Sequence, residues 1–130
     1  MKTYWDSSAL IEALHDPNLR SRLRPADNAT RPHSLAEVFS TLTKGVNFRY
    51  APADAAKMVA DLTADLAFVE LDSAETLSAV RAASSQGVRG ARIHDLMHAT
   101  AARKWGADKL LTLDAAGFST LKLQVKVSEP

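Results

Sequence analysis

The sequence predicts an α/β protein, a three-layer α/β/α sandwich around a central, mostly parallel sheet of four to five strands. Short runs of β-branched, aromatic and aliphatic residues alternate with longer runs whose apolar residues recur at helical spacing. The chain has 130 residues, of which 46% are hydrophobic, so it can bury a substantial core. It contains no internal repeat and no linker-like composition. We therefore expect a single domain over residues 1–130.

Residues that begin and end helices divide the first half of the chain. Asp6 can cap the helix that follows the first strand. Pro32 weakens the second strand because proline cannot donate to a ladder, and Pro52 suits the first turn of a helix. In order, the predicted elements are a strand at Lys2–Trp5, helices at Ala9–His15 and Leu19–Leu23, a strand at Ala29–His33, and helices at Ser34–Lys44 and Ala53–Leu66.

The second half of the chain continues the alternation of strands and helices. Asp72 can cap a helix that Gly87 ends, and Gly106 ends the next one. In order, the predicted elements are a strand at Phe68–Leu71, helices at Ala74–Gln86 and Ile93–Trp105, a strand at Leu110–Leu113, and a last, edge strand at Gln124–Val127. This order favours a parallel sheet with both faces covered by helices.

The composition narrows the class of function. The absence of cysteine excludes disulfides and thiolate zinc sites. The net charge of +1, from 16 basic and 15 acidic residues, shows no basic excess of the kind that often marks nucleic-acid binders, so any such contact needs a local patch. No apolar run approaches the roughly 18 residues of a membrane span, and the N-terminus resembles no secretion signal. We expect a soluble, cytoplasmic protein.

Four acidic residues are placed to meet at one edge of the predicted sheet. Asp6 and Asp114 follow strands, whereas Glu37 and Asp95 lie at the starts of helices. Sites in open α/β sheets form outside the carboxyl ends of the strands. Clustered carboxylates repel one another without a cation, and their oxygens suit Mg²⁺ or Mn²⁺. Divalent ions held in this way serve phosphodiester hydrolysis.

Each acid also has an ordinary structural interpretation. Asp6 could simply cap a helix, and Glu37 could close a capping box with Ser34. Asp95 could stabilise a helix dipole, and Asp114 could form an Asx-turn. Taken together, the position of all four acids on one predicted edge favours the metal site.

Four segments resemble, in order, the motifs of PIN-domain nucleases. Residues 4–11 combine an apolar strand, an Asp and a Ser pair, and residues 34–38 place a Glu at a helix start. Residues 94–101 place an Asp on a helix of small residues, and residues 111–118 hold a Thr-x-Asp followed by Phe. The resemblance covers nearly the whole chain.

A solitary domain of this size most resembles a VapC-type toxin of a toxin–antitoxin pair. The resemblance implies a Mg²⁺- or Mn²⁺-dependent endoribonuclease that forms a homodimer and is held inactive by a cognate VapB-type antitoxin. It implies hydrolysis that leaves a 5′-phosphate and a 3′-hydroxyl. It assigns catalysis and metal binding to Asp6, Glu37, Asp95 and Asp114, with Ser8 and Thr112 as supporting hydroxyls.

The chain departs from some family members just after the fourth motif. Ala115 and Ala116 occupy the stretch where those members carry a further acid. The resemblance then implies that a second metal binds weakly or only with substrate.

Other side chains near the predicted edge have more than one interpretation. Arg89, Arg92 and Lys109 could hold RNA phosphates or could simply be solvated. His94 and His98 have a spacing compatible with zinc, but no third ligand motif accompanies them. We expect the two histidines to flank the carboxylates or to contact RNA.

Two other classes of function are open to the same sequence. One is a catalytically idle PIN scaffold that binds a partner. The other is a receiver-like phospho-signalling domain, which also places Asp residues at the carboxyl edge of a doubly wound sheet. A receiver needs an acidic pair after its first strand, where this chain has Ser7 and Ser8.

Overall fold

An all-parallel sheet organises the part of the chain that the computed structural model describes, namely residues 1–45, 47–121 and 125–130. Five strands in these residues lie in the order β3-β2-β1-β4-β5, and every neighbouring pair is parallel. The strands are β1 (Thr3–Trp5), β2 (Asn28–Thr30), β3 (Ala67–Phe68), β4 (Lys109–Leu111) and β5 (Lys126–Ser128). The predicted α/β/α class with a parallel sheet is confirmed.

Helices connect the strands and follow the predicted pattern closely. They are α1 (Ser7–His15), α2 (Pro17–Ser21), α3 (His33–Thr43), α4 (Pro52–Thr63), α5 (Ser73–Ala82), α6 (Ile93–Trp105) and α7 (Ala115–Phe118). The bounds of α6 are those predicted, because its C-cap Gly106 adopts the left-handed conformation that ends helices. The turn α7 was expected to be a loop.

Several boundaries differ from the predicted ones. The second strand stops at Thr30 because Pro32 already has helical backbone angles and His33 begins α3. The predicted helix over residues 74–86 ends as an α-helix at Ala82 and continues as a 3₁₀ turn. The last strand is an edge strand as predicted, but Gln124 lies outside the described residues.

A separate hydrophobic core lies on each face of the sheet. Trp5 and Leu111 face a core that is completed by α1, α2, α3 and α4. Tyr4 and Leu110 alternate with them and face a second core, which includes α6 and the turn that contains Phe118. Burying a large apolar side chain is worth about 1.5–3 kcal/mol, so the two cores hold helices firmly on both faces of the sheet.

The register of the central strands brings two candidate motifs side by side. Thr3 pairs with Lys109 and Trp5 pairs with Leu111, so β1 and β4 end at the same level. The Asp6 amide donates to the Leu111 carbonyl at 3.1 Å. The residues that follow both strands therefore leave the sheet at one edge. Among the described residues, no helix combines the length and apolarity needed to cross a membrane.

Candidate active site

Asp6 is held at the sheet edge by a chain of hydrogen bonds. It is 5% exposed, and its Oδ1 accepts from Ser8 Oγ at 2.7 Å and from the Ala9 amide at 2.9 Å. Ser8 Oγ also lies 3.3 Å from Thr112 Oγ1. Since Ser8 gives its only hydroxyl proton to Asp6, Thr112 must donate to Ser8. The two hydroxyls predicted to support the site therefore link the ends of β1 and β4.

Asp114 is fixed by its own turn. Its amide donates to Thr112 Oγ1 at 3.1 Å, and its Oδ1 accepts from the Gly117 amide at 2.9 Å, which caps α7. The side chain is exposed. A Cβ placed on Gly117 would collide with the Asp114 carboxylate, so this glycine leaves the room in which the carboxylate sits.

Asp95 lies in the first turn of α6, with its side chain half-buried. Burial raises its pKa above the ordinary value, and the negative charges of Asp6 and Asp114 raise it further, while His98 and Arg92 oppose the shift. Asp95 therefore lies within electrostatic reach of both other aspartates, although they come from separate elements. The charges of two other predicted acids therefore act on Asp95 at this edge.

Glu37 is held differently from the three aspartates. Its Oε1 accepts from His98 Nε2 at 3.0 Å, and Ser7 Oγ lies 3.5 Å from its Oε2. Burial alone would raise the pKa of Glu37, but the hydrogen bond from His98 and the charges of His98, His33 and His94 lower it overall. The carboxylate is therefore ready to accept hydrogen bonds or a cation.

A buried hydrogen-bond chain orients Glu37. His98 is 2% exposed, and its Nδ1 lies 2.8 Å from the Tyr4 hydroxyl. Because Glu37 can only accept, His98 Nε2 carries a proton, and the Tyr4 hydroxyl is the hydrogen-bond partner of the other ring nitrogen. Burial raises the pKa of Tyr4 above its usual value, so the phenol keeps its proton. The sequence gives no signal for the role of Tyr4, which lies 94 residues from His98.

The three cations named as RNA contacts have different environments. Arg92 donates to the Gly117 carbonyl and, at 2.7 Å, to Thr120 Oγ1, so it ties the start of α6 to α7. Arg89 is exposed just before α6. Lys109 begins β4 beside Thr3, at the amino end of the strand. The structure therefore does not bring Lys109 to the edge that carries the acids.

The carboxylates at this edge are chemically suited to a hard divalent cation. Asp6, Asp95 and Asp114 supply carboxylate oxygens, and such a cation would offset the repulsion that the charges of Asp6 and Asp114 exert on Asp95. Within the described ranges, no three His, Asp or Glu side chains are already arranged to hold an ion.

The comparisons with known proteins agree with the geometry. A family model described as the PIN domain matches residues 3–122, a range that includes all four acids. The crystal structure of PAE2754 from Pyrobaculum aerophilum matches with a TM-score of 0.71 and 19% sequence identity, covering 98% of this chain and 90% of that one. At this identity the likeness concerns the fold alone. Comparison with curated proteins found no significant match.

Proposed function

The chain belongs to the PIN-domain family, and on that premise we propose that it is a metal-dependent endoribonuclease and the toxin of a VapBC-type module. PIN domains are generally metal-dependent nucleases. The observation that carries the proposal is that β1 and β4 end side by side, so Asp6 and Asp114 leave the sheet at one edge. Asp95 lies close enough to this edge that, in addition to burial, the charges of Asp6 and Asp114 raise its pKa. Carboxylates brought together at such a cost suit a site for a divalent cation.

Each side chain has a role in the proposed reaction. Asp6, Asp95 and Asp114 would hold Mg²⁺ or Mn²⁺, with Glu37 completing the set from α3. The ion, when bound, supplies charge that stabilises the phosphate and lowers the pKa of water. Ser8 and Thr112 fix the orientation of Asp6 and of the segment that carries Asp114. His98 orients Glu37 through the hydrogen bond from its Nε2, as outer hydrogen-bond partners commonly do for metal ligands.

The substrate and partners follow from the same proposal. The substrate is RNA, and the partners are a second copy of the chain and a VapB-type antitoxin. Leu77 and Val80 are 47% and 48% exposed on α5, so they offer apolar surface to a partner.

The competing functions differ in their fit to the structure. Receiver-like doubly wound sheets have the strand order 2-1-3-4-5, whereas the strands here lie in the order 3-2-1-4-5. That order argues against the signalling domain. An idle PIN scaffold is the second candidate, because no three acids of the described residues are already grouped around an ion position.

Cleavage of RNA by the purified protein tests the proposal. We expect cutting with Mg²⁺ or Mn²⁺, none in EDTA, and none by Asp95→Asn in either metal. Asp65→Asn, at an exposed position just after α4, serves as the matched control and should cut normally. Cutting by Asp95→Asn at the wild-type rate would show that these acids are not the site. No cutting of any RNA would favour the scaffold.

A further inference from the structure

A cavity of about 450 Å³ opens beside the acidic edge and follows α3. Ser7 and Glu37 line its inner end, so it is continuous with the proposed catalytic site. His33 and His94 form one wall, and Lys44 lies at the outer end. A substrate bound at the acids would therefore have part of its length in this groove.

One face of α3 forms the floor of the groove. His33, Glu37, Ser40, Thr41 and Lys44 line the cavity and recur at intervals that place them on one side of the helix. From the first to the last, this stripe spans about 16 Å at about 1.5 Å per residue. It is long enough for more than one nucleotide, since a stacked strand advances about 3.4 Å per nucleotide.

Two exposed imidazoles stack on each other across two helices. The ring centroids of His33 and His94 are 5.5 Å apart, and their planes differ by 14°. None of the four ring nitrogens has a hydrogen-bond partner among residues 1–45, 47–121 and 125–130. The pair therefore presents a flat aromatic surface with unused donors and acceptors beside the carboxylates.

The cation at the outer end is available to a ligand. In the part of the chain that the structure describes, the Lys44 ammonium has no hydrogen-bond or ion-pair partner. Two other lysines are engaged, since Lys104 bonds Glu75 at 2.8 Å and Lys2 donates to the Trp105 carbonyl at 2.7 Å. Lys44 thus offers a free positive charge at the far end of a polar groove.

We propose that this groove is a nucleotide subsite, in which a base of single-stranded RNA stacks on His33 and His94 and a backbone phosphate contacts Lys44. The subsite rests on the proposed nuclease function, because it positions the strand for the acids. Aromatic stacking combined with cations along a groove is how proteins bind single strands with little sequence preference. An acidic peptide would use Lys44 but not the stacked rings, so RNA is the better fit.

Binding without cleavage tests the subsite separately from the nuclease. The probe is a short, fluorescently labelled single-stranded oligoribonucleotide of mixed sequence, titrated by anisotropy in EDTA. Lys44→Gln should weaken binding several-fold. It should also reduce the slope of log affinity against log salt by about 0.7, the value for the counterions released when a protein neutralises one phosphate of a single strand. Lys126→Gln is the matched control, because Lys126 begins the edge strand β5 beside Lys109, away from the groove.

Substitution of the stacked rings tests the second contact. His33→Ala should weaken binding at least about fivefold, the low end of what a lost base–aromatic stack costs. His33→Phe should restore most of the affinity because it keeps a flat ring. If cleavage is also observed, both His33→Ala and Lys44→Gln should raise KM more than they lower kcat.

Imidazole resonances give a readout that needs no activity. In an NMR titration with the same oligoribonucleotide, the His33 and His94 signals should move. The signal of His15, an exposed imidazole stacked on Phe48, should stay in place.

Four results would overturn the subsite. They are wild-type protein that binds no RNA, equal affinities for wild type and Lys44→Gln, unmoved His33 and His94 signals, and competition by polyglutamate as strong as by RNA. RNA bound in the groove with no metal-dependent cutting would instead support the subsite and reject the nuclease.

Discussion

At the scale of single residues, the charged carboxylate of Asp95 should lower the stability of the folded protein. Burial and the charges of Asp6 and Asp114 raise its pKa in the folded protein. A group whose pKa rises on folding stabilises the protein below its unfolded-state pKa and loses that contribution as the pH rises through the folded-state pKa. At neutral pH without metal, the charged Asp95 should therefore make the protein less stable than a neutral side chain would.

Thermal melts in EDTA over a series of pH values test whether the charge of Asp95 lowers the stability of the protein. Asp95→Asn stays uncharged, so its melting temperature should exceed that of the wild type by a few degrees at about pH 7. The advantage should shrink as the pH falls through the carboxylate range, because Asp95 then becomes neutral as well. A variant that melts below the wild type at neutral pH would contradict the repulsion described at this edge.

The chain from Tyr4 through His98 to Glu37 makes a second prediction. Tyr4→Phe removes the hydrogen-bond partner of His98 Nδ1 and leaves this buried ring nitrogen unpaired. We expect a loss of about 1–3 kcal/mol in the free energy of unfolding, measured by urea denaturation. If RNA is cleaved, kcat should fall too, because Glu37 loses its oriented partner. The same change at exposed Tyr50, whose hydroxyl lies 3.5 Å from His15, should cost less than about 0.5 kcal/mol.

The sequence located the acids but could not assign their partners. Asp6 as a helix cap and Asp114 in its turn are local interactions that neighbouring residues specify. Glu37 could have bonded back to Ser34, yet α3 begins earlier and the carboxylate bonds His98, which lies 61 residues away. Such a partner depends on where α6 packs, and local patterns do not contain that information.

At the scale of elements, a substitution in the short helix α7 should affect the position of the Asp114 carboxylate more than the stability of the fold. An added methyl at Gly117 would meet the Asp114 carboxylate, which can rotate away into solvent. We therefore expect Gly117→Ala to change the melting temperature little but to weaken metal affinity and cleavage several-fold. Calorimetric titration with Mn²⁺ measures the metal affinity. Ala116→Gly, one residue away, is the control. Unchanged metal affinity in Gly117→Ala would remove Asp114 from the proposed ligand set.

Helices were easier to place than strands, for a physical reason. The thirteen-residue α6 extends over several helical turns and ends at a glycine that fixes its C-terminus. The strands contain two or three residues, too few to show a period, and their ends depend on the neighbouring strand. The expected Phe68–Leu71 strand reduces to Ala67–Phe68, the two residues in register with β2, and pairing ends where the Val69 amide donates to the Thr30 carbonyl.

At the scale of the whole molecule, metal binding should appear as stability. An ion that binds the folded acids but not the unfolded chain raises stability by about 2.7 kcal/mol at a hundred times its Kd. Wild-type protein should therefore melt several degrees higher in millimolar Mg²⁺ or Mn²⁺ than in EDTA. Asp95→Asn should lose most of this gain, and Asp65→Asn should keep it. Equal gains in wild type and Asp95→Asn would place the ion elsewhere.

The pairing of the first strand with a strand near the other end of the chain has a consequence for synthesis. Because β1 lies between β2 and β4, its second neighbour does not exist until residue 111 has been made. Chains with such distant pairings fold slowly, and domains complete their folding only when the necessary segments are available. The bond between Asp6 and Leu111 and the contact between Ser8 and Thr112 would form among the last. A nascent chain on the ribosome would therefore keep Asp6 and Asp114 apart until β4 has been made and has paired with β1.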